Sequence, residues 1–373
     1  MSRNKTYATI QRRQQGVTLV ELMVSLLLGL VLTAGIIQVF VGNRVTYAFN
    51  EGLSRIQENA RFTLDHIGYN TRMAGYAGCL SDVTIYNNLN DPNDFRDDIG
   101  NGVQGYNANG TGAGQNYAAA AVDPTPSANP NAWTPALPPE LNNRVIPGSD
   151  VLIVRSVDGG ATSLVSPFSN SAQLFIFDEP PEFGQGDILV VTDCQKASIF
   201  QLTNVVDTGF GVNLVHSNAG VFTPGNATPV WGPEQSYGLG AEVARLQSYA
   251  FYVGRSANNR PTLFQLRLQQ QGGTASGFVP EELAEGMDTM QLRFGLDADN
   301  DDAIDSWVSA DAVADWMGVL SVEITFLARA TDEYGTETDT AVYNLAGTQF
   351  DPVDDRRLRH VFSTTAGVRN RLP

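Results

Sequence analysis

The chain has 373 residues, with 23 Lys or Arg against 40 Asp or Glu, so its formal net charge is −17 at pH 7. This excludes the basic footprint on which nucleic-acid binding rests. The roughly 330 residues beyond the first apolar segment suffice for one large or two modest domains with a sizeable core.

The N-terminus comes first. Arg3, Lys5, Arg12 and Arg13 precede Gly16, and no acid does. Leu22 to Val41 is a stretch of twenty residues without a charge. As a helix rising about 1.5 Å per residue it spans about 30 Å, the thickness of a hydrocarbon core. The basic flank holds the N-terminus in the cytoplasm and sends the rest outward. One carboxylate, Glu21, stands at the mouth of the run. At bilayer depth such a group costs several kcal/mol unless it is paired, which marks it as functional. An ordinary signal peptide has a shorter apolar core and a small-x-small site behind it. A plain single-pass anchor explains the run but neither Glu21 nor Gly16.

The segment GVTLVELMVSLLLGL, residues 16–30, closely resembles the type IV prepilin family. The resemblance implies a leader of residues 1–16, cut after Gly16 on the cytoplasmic side by a membrane aspartyl peptidase. The same enzyme would methylate the new N-terminus, Val17, a position where the family usually has Phe. Glu21 becomes the fifth residue of the mature chain. There it can neutralise the α-amine of a neighbouring subunit and set its register, because a charge pair in low dielectric is worth far more than in water.

Residues 17–43 are thus the membrane and assembly half of a long helix, and 44–80 its amphipathic half. No proline occurs before Pro92, and Leu53, Ile56, Ala60, Leu64 and Ile67 recur at three-four spacing. That stripe is expected to pack on a β-sheet, with Gly68, Gly75 and Gly78 marking where the helix, of about 55–60 residues, gives way. His66 on this helix is expected at the surface or at an interface. Cys79 and Cys194 are the chain's two cysteines, both beyond the membrane segment. An even pair in an oxidising compartment predicts one disulfide.

Residues 81–149 are rich in Asn, Gly, Pro, Asp and Ala and predict a long irregular surface loop. Its glycines neither follow a strand nor open a helix, so they are not a phosphate cradle. From Asp150 to the end, β-branched and aromatic runs such as VLIVRSV, DILVVTD, TLFQLRLQ and VLSVEITFLARA predict a β-rich head. The expected arrangement is antiparallel throughout, in two sub-sheets, with a short helix near Pro280–Glu285.

One further motif is Asp297-Ala-Asp299-Asn-Asp301-Asp302-Ala-Ile-Asp305. Carboxylates at relative positions one, three, five and nine match the first part of a calcium loop, with the Ala303 carbonyl able to contribute. Asp302 replaces the turn glycine and Val308 the closing Glu. Two readings stand: a structural calcium held by Asp297, Asp299, Asp301 and Asp305, or an acidic, solvated hairpin loop. No other cofactor is implied.

Beyond the leader, QENARFTLDHIGYNTRMAGYAGC, SDVLIVRSV, VVTDCQKASIFQ, ELAEGMDTMQLRFGLD and RLRHVFSTTAGVRNRL resemble PilW-type minor pilins. The resemblance implies an α+β pilin fold, a long N-terminal helix on an antiparallel head. It also implies a role in priming type IV pilus assembly, or in a tip complex with other minor pilins beneath an adhesin. The location would be the bacterial inner membrane, single-pass with an exported C-terminal head, and then the pilus. The runner-up is a minor pseudopilin of type II secretion. A membrane-anchored periplasmic enzyme is disfavoured, since HExxH and GxSxG are absent and His66, His216 and His360 are scattered.

Overall fold

The computed structural model describes residues 16–371, apart from 79–82, 92–95, 97, 121–123, 178–182, 210 and 336. The chain divides into two units, Met1–Glu51 and Gly52–Pro373. The predicted helix, α1, spans Leu19–Arg72 and has 54 residues. In the first unit its apolar side chains from Leu19 to Val41 are all exposed, and this is the stretch long and apolar enough to cross a membrane.

In the second unit the predicted stripe is buried. Ile56, Ala60 and Ile67 lie in the largest core, with Leu64 packed on its border. Burial of each isoleucine is worth about 1.5–3 kcal/mol. The opposite face carries exposed Arg61 and Asp65, 3.8 Å apart one turn along. The helix ends earlier than the glycine pattern predicts. Gly68 is a buried position inside it, and the chain turns off through Gly75, at φ +73°, whose N–H donates to the Arg155 carbonyl at 2.8 Å. His66 is not a free surface group: its Nε2 lies 2.6 Å from Gln265 Oε1, and its ring stacks between Phe62 and the edge of Phe251.

Twenty strands follow among the described residues. The first four are β1 (Thr84–Asn87), β2 (Val103–Ala108), β3 (Asn116–Ala118) and β4 (Trp133–Thr134). Next come β5 (Val151–Val157), β6 (Thr162–Ser163), β7 (Gln173–Ile176), β8 (Ile188–Thr192), β9 (Lys196–Gln201), β10 (Asn204–Asp207) and β11 (Val212–Val215). Four long strands follow, β12 (Glu242–Arg255), β13 (Pro261–Gln271), β14 (Ala275–Glu285) and β15 (Met287–Leu296). The chain closes with β16 (Ser306–Val308), β17 (Val319–Arg329), β18 (Tyr343–Leu345), β19 (Thr348–Asp351) and β20 (Arg359–Gly367).

They form four sheets rather than two. The largest has the order β1-β9-β8-β12-β5-β2-β4, with β13 and β6 also on β12 and β14 on β13. A second sheet runs β16-β15-β17-β20, and β10-β11-β7 and β18-β19-β3 are smaller. The expectation of an antiparallel system fails at two pairs, β1–β9 and β19–β3, which are parallel. Both pairs recruit strands from the segment read as loop, which reaches its partners by long connections that leave direction free. The short helix expected near Pro280–Glu285 is instead the end of β14, where Pro280 is tolerated on an edge strand.

Residues 81–149 need the largest correction. β2 lies inside the main sheet, paired with β5 from Val103↔Val154 to Tyr106↔Val151. Tyr106, Ala108, Trp133, Leu137, Leu141 and Val145 build a core of their own with Val151, Ile153 and Tyr252. Trp133 Nε1 donates to the Ser149 carbonyl at 2.8 Å. The polar composition is real, but a few widely spaced apolar anchors suffice once β5 supplies the other wall. β5 itself explains the unbroken run VLIVRSV. Leu152 and Val154 face the core under α1 and Val151 and Ile153 face the second, so both faces are buried.

Candidate assembly junction and acidic loop

At the junction, Gly16, Val17 and Thr18 are exposed and non-helical, and α1 begins at Leu19. A Cβ at Gly16 would meet nothing within 4 Å, so no described side chain crowds this position. The leader before it, residues 1–15, lies outside the described residues. Thr18 and Glu21 form a reciprocal cap. Glu21 N–H donates to Thr18 Oγ1 at 3.3 Å, while Glu21 Oε2 accepts from Thr18 N–H at 3.4 Å and from its hydroxyl at 3.3 Å. This is a capping box: it satisfies donors that the first turn leaves without partners and sets a carboxylate at the positive end of the helix dipole. Deeper in the run, the hydroxyls of Ser25, Thr33 and Thr46 donate to the carbonyls of Glu21, Gly29 and Gly42. These polar atoms are hidden in the helix backbone, as a lipid surrounding requires.

Cys194 is disulfide-bonded. The chain's other cysteine, Cys79, lies outside the described residues.

The acidic loop joins β15 to β16. One ligand atom each from Asp297, Asp299 and Asp305 lies within 4.8 Å of the others. Asp301 is not in that group; its Oδ1 accepts from Ala303 N–H at 2.9 Å. Asp297 accepts from the N–H groups of Asp301 and Asp302, and Asp305 from Ala298. Asn300 and Asp302 take φ of +58° and +65°, so Asp302 adopts the left-handed conformation for which a calcium loop uses glycine. The Asp299 carboxyl is pushed above the ordinary range, chiefly by Asp301 and then by Asp305. An exposed group raised by like charges is one that a cation would relieve.

Two features had no clear signal in the sequence. One is a buried ion network at the far end of β17 and β20. Arg359 Nε donates to Asp288 at 2.8 Å and its Nη1 reaches Asp355 at 2.8 Å and Asp339 at 3.3 Å. Arg329 Nε meets Asp288 at 3.1 Å, and Arg357 meets Asp355 at 2.8 Å. Burial alone would weaken the Arg359 cation, but Asp288 and Asp355 overcome it and hold its pKa up. Alternation in LRHVFSTTAGV marks the strand, but carboxylate partners from β15 and from two separate loops cannot be paired by eye. The other feature is Asp150, 2% exposed, whose carboxylate accepts from the N–H groups of Ala108 at 2.8 Å and Leu292 at 2.9 Å. Burial pushes its pKa up to about 7 against the opposing pull of those donors.

Comparison with known proteins bears on the chain at both ends. Residues 250–370 match the family model described as type IV pilus-assembly protein W. Residues 11–37 match the prokaryotic N-terminal methylation motif. No curated protein matches the chain significantly. Among solved structures, a type IV-like pilin from Thermus thermophilus aligns at 12% identity and a TM-score of 0.25, over 51% of this chain and 86% of that one. The first matched segment holds β13 to β20 and the ion network, and the second holds Gly16, Val17 and Glu21 at the start of an apolar helix. Together these two matches, which cover less than half of the chain, support a type IV pilin of the PilW type anchored by its N-terminal helix.

Proposed function

We propose that this pilin is a minor subunit that primes assembly of a type IV pilus or stands in its tip complex. It enters the inner membrane as a single-pass precursor with an exported head. Prepilin peptidase cuts it after Gly16 and methylates Val17. The chain then leaves the bilayer by packing its helix against other minor pilins, with a tip adhesin as a further partner. The role is structural, and no catalytic residue is assigned.

The observation that carries this reading is the junction: an open glycine, an exposed Val17 and a capped carboxylate at the mouth of a helix whose apolar half is fully exposed. A surface of that kind is stable in lipid or against other helices, not in water. N-terminal mass analysis of the chain from membranes, with and without the peptidase, tests it. The expected product starts at N-methylated Val17 and forms only with the peptidase. An uncut chain in both, or a start elsewhere, removes the assignment.

The disulfide joining Cys79 to Cys194 belongs to this reading and ties the chain just beyond α1 to the β8–β9 turn. Calcium at Asp297, Asp299 and Asp305 belongs to it as well. Millimolar calcium is expected to raise the melting temperature of the full chain in detergent by a few degrees, and Asp299→Ala to remove the rise. An unchanged melting temperature means that the loop is a solvated turn held by its own backbone bonds.

A further inference from the structure

Sheet edges in this molecule are protected unequally. A row of unpaired backbone groups readily accepts another strand, and proteins blunt such edges with charge, proline, bulges or short length. β14 is an edge strand and carries Pro280, Glu281, Glu282 and Glu285, with a register shift in its ladder to β13 between Leu263 and Phe264. β16 is an edge of three residues.

β20 has none of these devices along its outer side. It is nine residues long, lies last in the order β16-β15-β17-β20, and pairs with β17 without a break from Arg359↔Arg329 to Gly367↔Ser321. Ala330 N–H donates to the Leu358 carbonyl and Val368 N–H to the Leu320 carbonyl. By antiparallel alternation, His360, Phe362, Thr364 and Ala366 therefore bond toward β17. Val361, Ser363, Thr365 and Gly367 turn their N–H and C=O groups to the open side. Among the described residues none of these four amides has a further partner. Ser363 and Thr365 are exposed, and with Gly367 they give this end of the strand small side chains that leave the edge approachable.

We propose that the open edge of β20 accepts an extended strand from a different polypeptide in the assembled complex, with a carboxylate of that strand beside Arg369. Main-chain pairing would supply the affinity, as in other cases of strand addition. The charge pattern selects the partner. Residues 356–371 contain five arginines and no acid, within a chain of net charge −17. Arg356, Arg357 and Arg359 are paired with Glu333, Asp355 and Asp288, and Arg371 is turned onto the Val319 carbonyl. Arg369 is exposed and has no ion pair among the described residues. A second copy is disfavoured as the occupant: pairing β20 with itself would bring two arginine-rich, acid-free segments, residues 356–371 of each chain, side by side. Like charges directly across a strand pair are destabilising. The inference rests on the pilus-assembly reading, which the mass of the N-terminus tests separately.

The experiment compares amide exchange in the full mature chain, purified in detergent, with the same chain in complexes isolated from piliated membranes. A photo-cross-linking residue at position 363 reports the neighbour. Exchange at Val361, Ser363, Thr365 and Gly367 is expected to slow at least about tenfold in the complex, since newly bonded amides exchange only on opening. The cross-link is expected to join a segment of another polypeptide. Thr365→Pro should abolish both effects without lowering the melting temperature, because that N–H takes no part in the ladder to β17. If that variant misfolds, Thr365→Lys guards the edge by charge and gives the same readout. Unchanged exchange in the complex, a cross-link joining only copies of this chain, or an adduct that survives both blocking variants would overturn the proposal. A chain with methylated Val17 and a silent β20 edge would overturn it while leaving the pilin reading intact.

Discussion

Glu21→Ala is expected to leave cleavage after Gly16 intact and to lower recovery of the chain in sheared pili at least about tenfold, a factor that needs a loss of only about 1.4 kcal/mol. Two roles of this carboxylate must be separated. In the single chain, Glu21 closes the cap with Thr18. Loss of such a cap costs about 1 kcal/mol of helix stability, which frays one turn of a long helix and leaves its apolar length unchanged. In an assembling filament the same carboxylate would meet a cationic N-terminus in an environment without water. Removing one member of a buried pair costs about 3–5 kcal/mol because the other is left uncompensated. Glu21→Gln decides between the roles. The amide oxygen still caps Thr18, but the charge is gone. If charge pairing drives entry into the pilus, Gln fails as Ala does. If Gln restores incorporation, capping is the role and the pairing argument falls. Immunoblots of sheared pili and of membranes, read together for the three chains, give the answer.

Asp150 gives the second large effect, on stability. Its carboxyl is neutral more readily in the folded state than in the unfolded chain, with a pKa of about 7 against an ordinary 3.8. A group raised in this way contributes its full stability below the unfolded value and loses it as pH rises through the folded one. The window is therefore pH 4 to 7, and stability contributed by this group should fall across it by up to about 4 kcal/mol, from the shift at 1.36 kcal/mol per unit. Asp150→Asn is the probe. The amide keeps one acceptor but turns a donor toward either Ala108 N–H or Leu292 N–H, so near pH 4 the variant should be less stable by about 1–3 kcal/mol. It has no charge to bury, so its deficit should shrink or reverse by pH 7.5. Denaturant unfolding of the full chain in detergent at pH 4.5, 6 and 7.5, followed through tryptophan fluorescence, measures that difference. A deficit that stays constant with pH would mean that the two backbone donors outweigh burial and the carboxyl titrates in its usual range.

What was legible in the sequence followed local rules. The membrane run and the stripe from Leu53 to Ile67 depend on spacing within one helix, and the helix places them as that spacing requires. Strand runs such as VLIVRSV and VLSVEITFLARA were legible because both faces are apolar. β2 was not. Val103, Tyr106 and Ala108 are set among Gly, Asn and Gln, and what makes VQGYNA a strand is the free edge of β5, nearly fifty residues later. Gly105 is part of the same logic: a Cβ there would come within 2.4 Å of the Phe294 ring. A residue that looks like a loop former is the one that lets two strands lie over an aromatic side chain. The acidic loop was legible as a cluster, but not in its grouping. Alternation suggested four converging carboxylates, and the turn conformations at Asn300 and Asp302 bring three together while tying Asp301 to Ala303.

The long strand β12 has a mechanical consequence. Its first residues pair with β8, Leu246–Phe251 with β5, and Tyr249–Arg255 with β13, so that Tyr249–Phe251 are held on both sides. A tensile load along such a strand does not meet its hydrogen bonds one after another, as peeling a hairpin would. It shears ladders on both flanks at once, and the strand yields only when they slip together. Substitutions that weaken β12 should therefore lower the force at which the head unravels when pulled.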